Sequence, residues 1–275
     1  MGYFKTYRID GATYYIMEAL GVGAYLFLGE DRALLSDTGN GYMDIRKSIA
    51  KLTDKRLIVM NTHGHADHAG GNAQFQEIYI HPADMPMLDP AWQKSQTSLL
   101  FGYAKKAYPI IIPLLLFFKL QKFKKYTPAV KTIADGHKFE LGGRTIEVIH
   151  FPGHSPGSVI LADKRTKTLY VGDAVNHGLF LFFENSPSLK GYQAALRELA
   201  KLKGYEKLRV SHGTTEFPFD FIEYYADFLM RVTLEKSVLT DIPNGARPVF
   251  KYTEPGGKYS VPEICVHFTR ESLEG

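Results

Sequence analysis

The stretch Asn61-Thr62-His63-Gly64-His65-Ala66-Asp67-His68-Ala69-Gly70-Gly71 puts three imidazoles and a carboxylate within six residues. It follows an apolar run, Leu57 to Met60, and opens a segment that begins like a helix. Neutral imidazole and carboxylate are the ligands that zinc and related divalent cations prefer. A packed core has no use for so many titratable groups together, because each must be paired or stripped of water at a cost. The stretch therefore reads as a metal-ligand loop at the C-terminal end of a buried strand. Open α/β sheets place their ligand sites at that end.

Towards the N-terminus, Thr13 to Leu20, Gly23 to Gly29 and Arg32 to Ser36 read as a meander of short strands ending at Asp37-Thr38-Gly39. Ile45, Ile49 and Leu52 have helical spacing within Met43 to Leu52. Towards the C-terminus, Ile78 to Ile80 reads as a strand ended by His81-Pro82. Lys138 to Leu141 pairs with Thr145 to Ile149 around Gly142-Gly143, and Val159 to Ala162 with Thr168 to Val171 around Asp163-Lys164-Arg165. Gly191 to Leu202 and Phe219 to Leu239 are predicted helices, Lys207 to Val210 a strand, and Pro248 to Tyr252 and Ile264 to Phe268 short strand-like runs. With no repeat, low-complexity tract or linker, residues 1–275 read as one domain.

An insertion at about residues 91–127 interrupts this pattern. It contains Pro109-Ile110-Ile111-Ile112-Pro113-Leu114-Leu115-Leu116-Phe117-Phe118, flanked by Lys105, Lys106, Lys119, Lys122, Lys124 and Lys125. That apolar run is shorter than the ~20 residues that span a bilayer, so it is expected to form a helical or broken-helical cap with its lysines outside.

A hydrophobic share of 45% with 23% charged residues fits an ordinary globular chain, and a formal charge of +4 does not call for nucleic acid. Cys265 is the single cysteine, which excludes an intrachain disulfide. The start Met1-Gly2-Tyr3-Phe4-Lys5-Thr6 lacks the basic and apolar regions of a secretory signal, although Gly2 with Thr6 fits the loose myristoylation pattern. A cytoplasmic location is the default expectation.

Four further groups stand at strand ends: His154 in Pro152-Gly153-His154-Ser155-Pro156-Gly157-Ser158, Asp173 in Val171-Gly172-Asp173-Ala174, His212 in Ser211-His212-Gly213, and Asp37. In this order, the set resembles the metallo-β-lactamase superfamily from about residue 13 to about residue 215. The resemblance implies an α/β (α+β) fold, a four-layered αββα sandwich with the helical cap inserted into it. It implies two Zn2+ ions, with iron or manganese also suited to such ligands. His63, His65 and His154 would hold one ion, Asp67, His68 and His212 the other, and Asp173 would bridge them. Asp37 would hold an imidazole N–H.

Two metals roughly 3.5–4 Å apart can share a bridging hydroxide at working pH and polarise the bond to be cleaved. Asp67 is placed to orient the nucleophile or pass on its proton. Within the superfamily, Asp173 departs from true β-lactamases and His65 from the flavo-diiron branch. Asn176 stands where lactonases carry tyrosine, and no clear Arg/Lys pair for glutathione appears. The expected activity is hydrolysis of an ester, thioester or lactone with a hydrophobic portion. Phosphodiester hydrolysis is the alternative, and a non-catalytic binding protein on the same scaffold a second. Leu99 to Phe123 and Leu179-Phe180-Leu181-Phe182-Phe183 are expected to converge over the metals or to form a homodimer interface. Asn176, His177, Phe180 and Phe182 are the candidate substrate contacts; His81, His137, His150 and His267 read as structural.

Overall fold

In the computed structural model, which describes residues 2–97, 124–183, 186–241 and 248–274, the N-terminal strands are apolar on both faces. Strands β1 (Phe4–Arg8), β2 (Thr13–Glu18), β3 (Gly23–Leu28), β4 (Arg32–Ser36), β5 (Arg56–Met60), β6 (Glu77–Ile80) and β7 (Ala129–Thr132) form one sheet in that order. Because side chains alternate along a strand, Tyr15, Tyr25, Phe27 and Leu34 face one way and Ile16, Leu26, Ala33 and Leu35 the other. The second set packs with Ile45 and Ile49 of helix α1 (Arg46–Ile49).

The first set faces a second sheet. Strands β8 (Lys138–Glu140), β9 (Thr145–His150), β10 (Val159–Asp163) and β11 (Thr168–Gly172) form it. After β12 (Gly178–Leu181), strands β13 (Lys207–Val210) and β14 (Glu216–Pro218) complete it. Phe139, Ile146, Val148, Leu161 and Tyr170 supply its half of the shared core. Its outer face, through Ile160, Leu169 and Val171, meets two amphipathic helices. These are α3 (Leu189–Leu199), with Leu189, Tyr192, Leu196 and Leu199 buried, and α4 (Phe221–Met230), with Phe221, Tyr225, Phe228 and Leu229 buried. The layers are thus helix, sheet, sheet, helix, as expected. The short helix α2 (Ala66–Ala69) sits between the sheets' ends.

Three local expectations change. The predicted helix over 43–52 is a single turn. The predicted helix over 219–239 ends at Met230, where Arg231 turns to pair with Glu254 (2.6 and 2.7 Å) and the β-branched pair Val232-Thr233 follows. The chain then returns as β15 (Val238–Thr240) against β16 (Val249–Pro255) and β17 (Glu263–Phe268). Gly178 to Leu181 is β12 of this small sheet, paired in parallel with β17, rather than a free rim segment. The apolar cap expected at about 91–127 lies outside the described residues over 98–123. Residues 90–97 are helical. No helix among the described residues is long and apolar enough to cross a membrane.

Two buried polar ties fix the sheet edges. Arg144, with 4% exposure, pairs with the fully buried Asp163 at 2.6 Å, and donates to the Ala12 carbonyl and Thr13 hydroxyl at 2.7 Å. Glu18, at the end of β2, accepts from Asn40 N–H at 3.1 Å, from Asn40 Nδ2 at 2.8 Å and from the Tyr3 hydroxyl at 3.2 Å. It thereby holds the turn that follows Asp37. Burial raises the Glu18 carboxyl from the usual 4.5 to about 7, against the lowering effect of the Asn40 and Tyr3 bonds.

A group that keeps its proton to higher pH when folded makes folding take up a proton, so stability falls as pH rises through that window. Wild type is therefore expected to lose stability between about pH 4.5 and 7, by on the order of 3 kcal/mol at most. In Glu18→Gln this loss should disappear, while the titrations common to both proteins cancel in the difference. Urea midpoints for both proteins at each end of the window measure it; parallel pH curves would refute it.

Candidate metal centre

The site's residues lie where strands end. Strands β4 and β5 are parallel, as are β11 and β13, and β9 runs with them because β10 is antiparallel to both β9 and β11. Asp37 follows β4, His63 and His65 follow β5, His154 follows β9, Asp173 follows β11, and His212 follows β13. Asp67 and His68 lie on α2.

Backbone bonds lock these loops together. Val159 N–H donates to the Thr62 carbonyl at 2.8 Å, joining the β5 and β10 ends. The Gly23 N–H donates to the Ser211 carbonyl at 2.9 Å and Gly213 N–H to the Gly21 carbonyl at 3.0 Å, so the β2–β3 turn grips the His212 loop. From inside the sandwich, the Tyr15 hydroxyl donates to the Ser211 carbonyl (2.6 Å) and the Tyr25 hydroxyl to the Val210 carbonyl (2.8 Å). Behind Asp173, the Tyr192 hydroxyl of α3 donates to the Ala174 carbonyl.

The structure brings all seven expected ligands together. Ligand atoms of His63, His65 and His154 lie within 4.8 Å of one another, as do those of Asp67, His68 and His212, and those of His63, His68 and Asp173. Asp173 Oδ2 is 3.1 Å from His212 Nε2, 3.4 Å from His68 Nε2 and 3.8 Å from His154 Nε2, so this carboxylate reaches members of both trios. Asp67 Oδ2 is 3.4 Å from His212 Nε2 and 3.8 Å from His68 Nε2.

Asp37, fully buried, accepts from Thr62 N–H at 2.7 Å and from His68 Nδ1–H at 3.0 Å, which leaves His68 Nε2 facing the cluster. Its backbone is left-handed, with φ of 69°. That conformation is uncommon for residues other than glycine, and Asp tolerates it better than most.

This donor set fits divalent cations. His154 Nε2 and His65 Nδ1 approach to 2.8 Å, and His68 Nε2 and His212 Nε2 to 3.4 Å, lone pair towards lone pair unless protons or cations intervene. His63 Nε2, His154 Nδ1 and Asp173 Oδ1 are buried with no hydrogen-bond partner among the described residues. Burial, reinforced by the neighbouring imidazoles, holds His63 and His65 well below the usual histidine value, and burial likewise lowers His154. These three are thus in the neutral, metal-binding form. Burial opposes protonation of His68 and His212 too, but there the Asp173 and Asp67 carboxylates prevail and raise both, and for His68 Asp37 adds to them. Around Asp173, burial is overcome by His212 and His68, which hold the carboxyl well below its usual range.

A small cleft opens over the His65 side, lined among the described residues by His65, Met87, Trp92, Gln96, His154, Ser155 and Phe183. Trp92 lies parallel to His65, with ring centroids 5.7 Å apart and 14° between planes, and Phe183 stands 4.7 Å from the same imidazole. Of the expected substrate contacts, Phe180 instead stacks on His267 at 4.8 Å and Phe182 on Phe183 at 4.6 Å. Asn176 is buried, and its side-chain oxygen accepts from the His177 N–H at 2.8 Å, which is the local capping bond. His177 is half-buried, with Nδ1 unpartnered among the described residues; burial and then His212 lower its pKa. Trp92 was absent from the sequence-based set, while Phe183 belongs to the apolar stretch expected over the metals but was not among the named substrate contacts.

Comparison with known proteins agrees with the geometry. The chain is 26% identical over 222 residues to the human protein named acyl-coenzyme A thioesterase MBLAC2, covering 76% of each chain. It is 27% identical over 226 residues to the beta-lactamase-like protein 2 homolog of Drosophila melanogaster, covering 79% of this chain and 68% of that one. Among solved structures it superposes on a metallo-beta-lactamase from Pontibacter korlensis with a TM-score of 0.55 and 17% identity, covering 83% of this chain and all of that one. The family model for the metallo-beta-lactamase superfamily matches residues 18–211, a span that runs from the Glu18 tie to the strand end before His212. The chain belongs to that superfamily and is one of its hydrolases.

Proposed function

We propose that this protein hydrolyses acyl thioesters with a hydrophobic acyl portion, using two divalent metal ions, zinc in the first instance. The observation that carries the reading is the cleft in which Met87, Trp92 and Phe183 surround His65 and His154. A cleft in which three apolar side chains stand beside a cluster of metal-type ligands suits an acyl group whose carbonyl must reach that cluster. The relation to proteins named acyl-coenzyme A thioesterases supports the thioester over other esters.

In this reading His63, His65 and His154 hold one ion, Asp67, His68 and His212 the other, and Asp173 is shared. The ions, when bound, would lower the pKa of water and polarise the acyl carbonyl. The chain's own residues do the rest. Trp92 and Phe183 flank the acyl chain and exclude water from it. Asp37 keeps the His68 imidazole in one tautomer through its bond at 3.0 Å. Asp67 accepts one proton of the attacking water as the new C–O bond forms, then returns it to the sulfur as the C–S bond breaks, releasing a thiol and a carboxylic acid that gives up its proton to solvent.

Purified protein loaded with zinc is expected to hydrolyse acyl-coenzyme A substrates, to lose this activity to a chelator and to regain it on metal addition. Faster cleavage of bis-aryl phosphate than of any thioester from acetyl to palmitoyl would overturn the reading. Asp67→Ala should lower kcat by about 10²–10⁴-fold with its thermal midpoint retained. Trp92→Ala should lower kcat/KM for long acyl chains by about tenfold or more while leaving short chains unaffected. A uniform loss across chain lengths would remove Trp92 from the acyl pocket.

A further inference from the structure

Asp84 lies outside the expected ligand set, on the 3-10 segment Pro82–Leu88, and has no exposed surface. Its Oδ2 accepts from the Gly64 N–H at 2.8 Å and from the Ser155 hydroxyl at 2.6 Å, and its Oδ1 accepts from the Gly157 N–H at 2.6 Å. Gly64 stands between His63 and His65, and Ser155 directly follows His154. One buried carboxylate therefore bonds both loops that carry the His63, His65 and His154 trio, which otherwise come from different sheets.

The surrounding packing serves the same contact. A Cβ on Gly157 would lie 2.7 Å from Asp84 Cγ, and one on Gly64 would lie 2.6 Å from Met87 Cβ, so only bare backbone lets these N–H groups reach the carboxylate. The Gly64 carbonyl accepts in turn from Gln93 Nε2 at 2.8 Å. Both backbone polar groups of Gly64, the residue between the two histidines, are thus held by Asp84 and Gln93. Hydrogen bonds to a carboxylate are stronger than neutral ones, and here three converge on a group shielded from water.

We propose that Asp84 is the positioning residue that sets the spacing of the His63, His65 and His154 trio, and hence the affinity of the metal site nearest the acyl cleft. The inference rests on that trio being a metal site, as proposed above. Asp84→Asn keeps the shape but turns an amide NH2 towards the N–H of either Gly64 or Gly157, donor against donor. One loop must then move, and the ligand atoms, all within 4.8 Å of one another, separate.

The test titrates metal-free wild type, Asp84→Asn and Ser155→Ala with Zn2+ against a competing chelator, and with Co2+ followed by its visible absorption. Wild type should bind two equivalents. Asp84→Asn should weaken one of them by about 10–100-fold and leave the other unchanged, with the cobalt spectrum altered for that equivalent alone. Ser155→Ala, which removes one bond of three and is the milder change should Asp84→Asn not fold, should weaken the same equivalent by less. Two unaltered equivalents in either folded variant, or equal weakening of both, overturn the role of Asp84 and leave the proposed function standing. A wild type that binds no metal overturns both.

Discussion

Crowding imidazoles and carboxylates away from water is the constraint on which the rest of this structure depends. His63, His65, His68 and His154 are 5% exposed or less, and Asp37 not at all. Each such group must find a partner or be neutralised. The protein meets this in part by giving two of the imidazoles, His63 and His68, a side-chain partner on the far side. Asp37 holds His68, Thr62 touches His63 Nδ1 at 3.2 Å, and the near sides are left converging. Burial keeps one trio neutral, while the carboxylates draw protons onto His68 and His212. Divalent cations would relieve both halves together, displacing protons on one side and pairing lone pairs on the other.

Such a cluster is only as accurate as the loops that carry it, which explains why so many ties join the two sheets at this edge. The hydroxyls of Tyr15 and Tyr25 cross the core to the carbonyls before His212. Neither bond contributes more than about 1 kcal/mol on its own. Their value is geometric: they fix a loop of the second sheet to strands of the first, so ligands remote in sequence behave as one rigid set.

The dense part of the site was legible because it is local. His63 to His68 needs only a strand end and one helical turn, and the strand-end positions of His154, Asp173 and His212 follow from apolar runs closed by glycine and proline. The two-sheet core was legible for the same reason, since its strands are short apolar runs between clear turns. The third sheet was legible only in part, its strands β16 and β17 reading as short strand-like runs but β12 and β15 not. In Gly178-Leu179-Phe180-Leu181, alternation buries Leu179 and Leu181 against the helices and turns Phe180 to His267, a face that only the pairing with β17 defines. Phe183 lies beyond the strand, where no period constrains it, so the apolar stretch marked the rim of the site but not which of its rings meets His65. Asp84 was hidden in another way: its three partners lie 20, 71 and 73 residues away.

The asymmetry of the site bears on what it can select. On one side, His65 is flanked by Trp92 and Phe183 and its trio is deeply buried, whereas His212 has a side chain 36% exposed. Under the proposed function, the more buried His65 side would take the acyl group and the more exposed His212 side the leaving group. A large polar leaving group costs little to seat on the His212 side because it need not be stripped of water. An acyl chain on the His65 side gains roughly 0.8 kcal/mol for each methylene it buries. Under the proposed function, discrimination should then lie in the acyl half of the substrate, with the thiol half held more loosely, and aromatic residues near His65 rather than the proposed metal ligands are expected to set substrate choice.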